Sequence, residues 1–194
     1  MKYGLLGEKL PHSFSKEIHN KLFDYPYELK EIAKDKIEEF MTRREFAAIN
    51  VTIPYKQTVI PFLDEIDTVA KKIGAVNTVV NRGGKLYGYN TDYSGMAAML
   101  ERENIDVSGK KVLILGSGGT SKTALELVKN SGCREVHRVS RSETEDTITY
   151  SQAKSHHADA EIIINTTPCG MYPNIDESAI LLDDFKSLYA VVDA

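Results

Sequence analysis

Cysteine is scarce in this 194-residue chain, which holds only Cys133 and Cys169. The two lack CxxC spacing, and no histidine cluster stands beside them. That speaks against a disulfide framework and against a zinc site, so no metal is expected. No apolar run approaches the ~20 residues of a membrane-spanning helix. The opening MKYGLLGEKLPHS lacks the long apolar stretch of a secretion signal. Positive charge is not in excess either: 24 Lys and Arg face 28 Asp and Glu, a net charge of −4. Nothing therefore points to nucleic acid or an anionic membrane as partner. Internal repeats and low-complexity segments are missing. What is present is ordinary for a globular protein with a core, 42% hydrophobic and 27% charged residues. A reduced, cytoplasmic protein is expected.

Short apolar segments alternate with helical patterns along the whole chain. Strands are expected at Tyr3–Leu6, Tyr27–Ile32, Ala47–Ile53, Thr78–Asn81 and Leu86–Tyr89, the last two joined by a glycine turn. Helices are expected at Ser15–Phe23 with Ser15 as N-cap, and at Lys34–Met41, Ile66–Ile73 and Tyr93–Glu103. The style changes at Val107-Ser108-Gly109. Beyond it, Lys111–Leu115 is a continuous apolar run, the mark of a strand buried on both faces. A helix at Thr120–Lys129 follows, then strands at Glu135–Ser140, Glu161–Asn165 and Tyr189–Asp193. Such alternation argues for an α/β fold with parallel sheets and right-handed crossovers. Two α/β domains are expected, residues 1–103 with the connecting helix and residues 104–194.

The segment KVLILGSGGTSKTALELV carries the most specific local signal. A buried strand ends at Gly116, and an amphipathic helix follows the loop Gly116-Ser117-Gly118-Gly119-Thr120-Ser121. This matches G-x-G-x-x-small, the phosphate-binding turn of a dinucleotide fold. Gly116 permits the turn, Gly118 lets backbone approach a pyrophosphate, and small Ser121 lets helix and strand pack closely. Phosphates then meet free N–H groups at the helix start, around Gly119 and Thr120. The next strand ends in Ser140-Arg141-Ser142 with no acid at its tip. An acid there would bind the ribose 2′-hydroxyl of NAD; an arginine fork between two hydroxyls suits the 2′-phosphate of NADP. Further on, INTTPCGM ends another strand, and Asn165, Thr166, Thr167 and Gly170 are placed to line the nicotinamide side.

Three stretches of the first domain offer groups for a substrate. LPHSFSK sets Ser13 and Ser15 before a helix, where two hydroxyls and helix amides make a carboxylate site, or simply a cap. NVTIPYK delivers Thr52 and Lys56 just past a strand, where a lysine is either solvated or aimed at something. GAVNTV and GYNTD add Asn77, Asn90, Thr91 and Asp92. Taken singly, polar residues at strand ends are more often caps than catalysts.

Taken in order, these motifs resemble the shikimate dehydrogenase family. GLLGEKLPHSFS, NVTIPYK, GAVNTVV, GYNTDYSG, LGSGGTSKTA, VSRS and INTTPCGM span essentially the whole chain. The resemblance implies an N-terminal α/β substrate domain followed by a Rossmann-like NADP-binding domain. It implies reduction of 3-dehydroshikimate to shikimate in aromatic amino-acid biosynthesis, and it leaves room for a homodimer. Ser13 and Ser15 would bind the substrate carboxylate. Thr52, Lys56, Asn77 and Asp92 would surround the ring hydroxyls, with Lys56 and Asp92 as the catalytic pair. Ser140-Arg141-Ser142 stands where the family usually has Asn-Arg-Thr.

A lysine beside the reacting oxygen can give a proton during reduction and take it back during oxidation. A neighbouring carboxylate orients the ammonium and couples to it. Two departures from the family pattern stand out. Lys16 replaces a common proline, a small change at a first helical position. The family also continues past the strand matching YAVVDA into further helices, one of which carries a glutamine that contacts substrate, so the chain is expected to be C-terminally truncated relative to it. Two other readings remain open: a quinate-oxidising relative, which would favour an acid near Arg141, and a truncated dinucleotide-binding protein without catalysis.

Overall fold

The computed structural model describes residues 1–10, 13–172 and 174–194. The chain divides into two compact units, Met1–Thr91 and Asp92–Ala194. No helix of the described residues is long and apolar enough to cross a membrane.

The first unit holds β1 (Tyr3–Gly7), α1 (Ser15–Leu22), β2 (Glu28–Glu31), α2 (Ile37–Arg43), β3 (Ala48–Val51), β4 (Glu65–Ile66), α3 (Thr68–Ile73), β5 (Thr78–Arg82) and β6 (Lys85–Tyr89). They build a six-stranded sheet in the order β2-β1-β3-β5-β6-β4. β1 pairs in parallel with β2 and β3, and β4 with β6, whereas β5 is antiparallel to both its neighbours. Hence β5 alone runs against the other five. The β5–β6 connection is a two-residue turn, with Gly83 at φ +61° and Gly84 at φ +88°. Two successive positive φ values match the right-handed twist of a hairpin and are natural to glycine. Leu6, Ile49, Val51, Tyr55, Val79 and Leu86 form the core of this unit.

Three local expectations shift. The first helix begins at Ser15 itself, with Phe14 in the cap position; the oxygen that serves it belongs to Ser13, whose Oγ accepts the Ser15 N–H at 3.2 Å. The third helix starts at Thr68 instead of Ile66, because the Asp67 carboxylate accepts the N–H groups of Val69 and Ala70. That leaves Glu65–Ile66 free to pair with β6. The strand expected over Tyr27–Ile32 shortens to Glu28–Glu31, whose own side chains are all exposed between buried Tyr27 and Ile32.

The second unit holds α4, which starts at the boundary (Thr91–Arg102), then β7 (Lys111–Leu115), α5 (Gly119–Asn130), β8 (Glu135–Ser140), β9 (Ile148–Thr149), α6 (Tyr150–His156), β10 (Ile162–Asn165) and β11 (Ala190–Asp193). The five strands are all parallel, in the order β11-β10-β7-β8-β9. Counted within this unit the order is 3-2-1-4-5, that of a dinucleotide-binding sheet. β7 is buried along its entire length. Val112 and Ile114 pack with α4 and α5, and Leu113 and Leu115 face the other way, toward Ala153 of α6 and Phe185.

The connecting helix therefore belongs elsewhere than the 1–103 boundary places it. Met96 and Leu100 of α4 bury against Val107, Val112 and Ile162 of the second unit. Apolar contact decides the allegiance, and a periodicity reading does not reveal which core a helix serves. The short β9 and α6 were not expected at all. They arise from a polar stretch in which a capping box, Thr149 with Gln152, starts the helix without an apolar run.

Glu161 fastens the amino ends of the central strands. Its carboxylate takes Lys110 Nζ at 3.0 Å, the Lys111 N–H at 3.1 Å and Arg134 at 3.3 Å. Its carbonyl accepts the N–H groups of Tyr189 and Ala190. The Lys110 hydrogen bond, aided by the Lys111 amide, holds the carboxyl below its ordinary value of 4.5. A depressed folded value means stabilisation that is complete above the unfolded value and lost as pH falls below it. Glu161→Gln should therefore lower the melting temperature at pH 7. The gap to the parent protein should shrink as pH falls below the ordinary carboxyl value and close once the folded carboxyl, too, is protonated. Thermal unfolding followed by circular dichroism across pH 3–7 tests this, and a gap independent of pH would refute it.

Candidate functional site

In the first unit, strand direction gathers polar residues at one edge. β1, β3 and β6 are mutually parallel, so their carboxyl ends share an edge with the amino end of antiparallel β5. Ser13 and Ser15 follow β1, Thr52 and Lys56 follow β3, Asn90 and Thr91 follow β6, and Asn77 precedes β5. The Ile53–Pro54 peptide bond in the turn after β3 is cis.

Asn77 ties this edge together. Its backbone N–H donates to the Tyr89 carbonyl at 3.0 Å, and its own carbonyl accepts the Val51 N–H at 2.7 Å. The preceding residue, Val76, donates its N–H to the Lys56 carbonyl at 2.7 Å. The side chain is buried, and Oδ1 accepts the Thr91 N–H at 2.9 Å. Because a backbone N–H can only donate, this bond fixes which end of the amide is oxygen. Nδ2 then donates to Thr91 Oγ1 at 3.1 Å. Asp92 is the next residue in the chain, at the first turn of α4.

Behind the edge runs a polar chain that sequence reasoning missed. Thr78 Oγ1 donates to Asn77 Oδ1 at 3.1 Å, and Asn50 Nδ2 donates to Thr78 Oγ1 at 3.1 Å. Tyr27 donates its hydroxyl to Asn50 Oδ1 at 2.7 Å, and His19 stacks on the Tyr27 ring at 3.8 Å. Burial pushes the Tyr27 phenol up to about 12, so it stays a donor at neutral pH. Asn50 begins the very motif NVTIPYK; a polar residue inside an apolar strand was the available signal. Thr52 follows that strand. Its N–H donates to the Leu6 carbonyl at 2.9 Å, and Gly7 lies so close that an added Cβ would stand 3.0 Å from Thr52 Cγ2.

In the second unit the glycine loop lies at the carboxyl end of β7, beside the loop after β10. Gly116 has φ +117°, and a Cβ there would fall 2.6 Å from Thr166 Oγ1. Glycine is thus required twice, by conformation and by the neighbouring loop. Gly118 precedes α5 in extended backbone, and a Cβ there would meet nothing within 4 Å. Gly119 and Thr120 open the helix. Among the described residues no side chain caps it, and no acidic residue stands in its first turn. A 12-residue helix with an uncapped, acid-free start directs its N–H groups and dipole at an anion.

Some predicted residues take structural tasks. Ser121 is fully buried and donates to the Gly116 carbonyl at 2.7 Å, so it shapes the loop without facing a ligand. Thr166 Oγ1 donates to the Leu115 carbonyl at 2.6 Å, closing the two loops on each other. Thr167 donates to Asn165 Oδ1 at 2.7 Å, and Asn165 Nδ2 in turn reaches Asp193 at 2.8 Å. Gly170 adopts φ +87°, and a Cβ would stand 3.3 Å from the Glu177 carbonyl. Ser140 donates to the Ser142 carbonyl and lies 3.1 Å from Thr147 Oγ1, while the Ser142 N–H returns to Ser140 Oγ at 3.3 Å. Arg141 projects exposed from that folded turn. Its charge partly offsets the rise that burial imposes on the Tyr150 phenol.

A family model described as the shikimate dehydrogenase substrate-binding domain matches residues 5–79. The NADP(+) shikimate dehydrogenase of Clostridium beijerinckii is 39% identical over 98% of this chain and 77% of its own. Among solved structures, shikimate dehydrogenase 1 of Peptoclostridium difficile superposes with a TM-score of 0.90 at 38% identity, covering 100% of this chain and 77% of that one. The Thermus thermophilus enzyme in complex with NADP(H) and shikimate gives a TM-score of 0.85 at 25% identity, over 100% of this chain and 78% of that one. With its edge of strand-end polar residues, its uncapped glycine turn and relatives of this identity over nearly its full length, the chain belongs to the shikimate dehydrogenase family.

Proposed function

We propose that this protein is an NADP-dependent shikimate dehydrogenase, interconverting 3-dehydroshikimate and shikimate. The observation that carries the reading is the identity with NADP(+) shikimate dehydrogenases over 98% of the chain. The uncapped start of α5 fits a pyrophosphate, since its free N–H groups need an acceptor and its dipole favours negative charge. NADPH, when bound, supplies a hydride to the ketone carbon.

The chain's own residues then handle charge and protons. The Ser13 hydroxyl already accepts the Ser15 N–H, so its hydrogen is free to be donated to the substrate carboxylate. The Ser15 hydroxyl does the same beside it. Thr52 and Asn77 hold ring hydroxyls, and Asn77 is kept in one orientation by Thr91. Lys56 gives the ketone oxygen its proton as negative charge develops there, and reclaims it in the reverse direction. Asp92 is the second member of the catalytic pair and shares this proton step with Lys56. Arg141 receives the 2′-phosphate of NADP, supported by the turn that Ser140 and Ser142 fold. The absence of an acid at Val139-Ser140-Arg141-Ser142 favours NADP over NAD, which also speaks against the quinate-oxidising alternative.

Shikimate-dependent formation of NADPH, followed by its absorbance, tests the activity; no turnover with shikimate would overturn it. Arg141→Ala should weaken NADP binding about ten- to a hundredfold, the worth of a charge-assisted contact, and leave NAD binding unchanged. Titration calorimetry with both cofactors decides, since equal losses would remove Arg141 from phosphate recognition.

Lys56→Ala should reduce kcat far more than it raises KM. The double change with Asp92→Asn should cost much less than the two single effects combined, because groups that act as one unit are non-additive. Steady-state kinetics of the four proteins provide the check. Additive losses, or a Lys56→Ala effect confined to KM, would show that the two residues do not share the proton step.

A further inference from the structure

Three potential metal donors that the proposed reaction leaves unused converge on the face of the parallel sheet covered by α6. Glu135 and His137 are alternate residues of β8, so their side chains leave the same face of the strand. His157 is the cap residue that ends α6, and its ring centroid lies 4.0 Å from that of His137. Glu135 Oε1 stands 2.6 Å from His137 Nε2 and 3.5 Å from His157 Nδ1. One ligand atom from each residue lies within 4.8 Å of the others.

Two features distinguish this cluster from a chance meeting of polar side chains. His157 Nδ1 is buried and has no hydrogen-bond partner among the described residues. A buried nitrogen left this way is destabilising unless something satisfies it. Glu135 is also held from behind. Its Oε2 lies 3.4 Å from Lys111 Nζ, and that buried ammonium bonds Asp159 at 2.7 Å. This outer contact fixes the carboxylate with Oε1 toward the two imidazoles, and ligating carboxylates are commonly held in this way by a hydrogen-bonding partner. Around the cluster one lysine faces two carboxylates, so a cation is not repelled by the local charge.

We propose that Glu135, His137 and His157 bind one divalent first-row transition ion of the zinc class. Two imidazoles and one carboxylate are the donor set such ions take, whereas magnesium and calcium prefer oxygen alone. Ligand atoms ~2.0–2.1 Å from a tetrahedral ion lie about 3.3–3.4 Å apart. The Glu135–His157 separation already fits. The Glu135–His137 contact must open by roughly 0.7 Å to reach that spacing, and the ion then takes the place of the hydrogen the two share. Solvent reaches the donors, since the His137 side chain is 29% exposed and that of Glu135 39%. The cysteine spacing that argued against a metal says nothing about this set, whose histidines lie far apart in sequence and come from a strand and a helix end.

The place of the site defines its effect. Lys111 and Glu135 begin their strands, whereas Gly116 and Ser140 stand at the other ends. A strand of this length puts the ion on the order of 15 Å from the nucleotide turn. It fastens the end of α6 to β8 and takes no part in hydride or proton transfer.

Tag-free protein stripped with a chelator should be titrated with Zn²⁺ by calorimetry, and the metal counted by mass spectrometry after dialysis. One ion per chain is expected, with a higher melting temperature in Zn²⁺ and no change in NADP affinity. His137→Ala and His157→Ala should each weaken Zn²⁺ binding at least tenfold and abolish the thermal shift. Glu135→Gln keeps the side-chain shape and should weaken it likewise, so it carries the test if a histidine variant fails to fold. Co²⁺ should give a visible absorption band in the parent protein that these variants lose. Lack of stoichiometric Zn²⁺ binding, or binding that survives the substitutions, would overturn the proposal. Neither result would bear on shikimate turnover, which is measured separately.

Discussion

The hydrogen bonds of Asn77 are the constraint on which the first unit's polar edge depends. One residue receives the end of β3 through its carbonyl, reaches the end of β6 through its N–H, and grips Thr91 with its amide. No hydrophobic contact could do this, because packing is non-directional and would leave the backbone groups of three strand ends to solvent. The amide is buried, so each of these bonds is stronger than it would be in water, and losing one would leave a donor or acceptor stranded. Its consequences extend outward. Lys56 is held through the carbonyl that Val76 engages, and Asp92 follows directly from the Thr91 that the amide grips. A side chain that lacked oxygen or nitrogen at this position would release Thr91, while the backbone bond from Val76 to the Lys56 carbonyl would stay in place.

The second unit solves a different problem. A parallel sheet buried on both faces has its strand ends as natural outlets for polar groups, and the two ends are used for different purposes. At the amino ends, Glu161, Lys110, Lys111, Arg134 and Asp159 form a charged belt that ties neighbouring strands. At the carboxyl ends, charge is sparse and glycine, serine and threonine dominate. Gly116 admits Thr166 where any Cβ would collide, and the uncapped α5 leaves its N–H groups unclaimed by side chains. Stability is concentrated where no ligand need come, and unsatisfied backbone is kept where an anion can supply the missing acceptor.

Much of this architecture can be read from the chain because it rests on local rules. The run Lys111–Leu115 matched its strand residue for residue, since only a strand buried on both faces tolerates continuous apolar side chains. The hairpin at Gly83-Gly84 and the turn at Gly116 followed from the φ values that glycine alone adopts freely. The motifs also gathered as expected at strand ends, Thr52 and Lys56 after β3 and Asn77 before β5. What escaped was whatever depends on partners distant in sequence. The allegiance of α4 was decided by Met96 and Leu100 meeting Val112 and Ile162, and no periodicity names the opposing core. The carbonyls that the Ser121 and Thr166 hydroxyls reach were hidden for the same reason.

Ser140 and Ser142 likewise change meaning in the folded chain. Flanking an arginine, they look like additional phosphate donors. In the folded chain the Ser140 hydroxyl is engaged with the Ser142 carbonyl and Thr147, and the Ser142 N–H closes back on Ser140. The turn they make is therefore set before any ligand arrives, and Arg141 starts from a fixed backbone. A long cationic side chain on a loose loop would lose both loop and rotamer freedom on meeting a phosphate. On a turn already hydrogen-bonded, only the rotamer term remains. With Arg141 in its proposed role, cofactor choice would rest less on the number of donors around the phosphate than on how little has to be ordered for one planar fork to meet it.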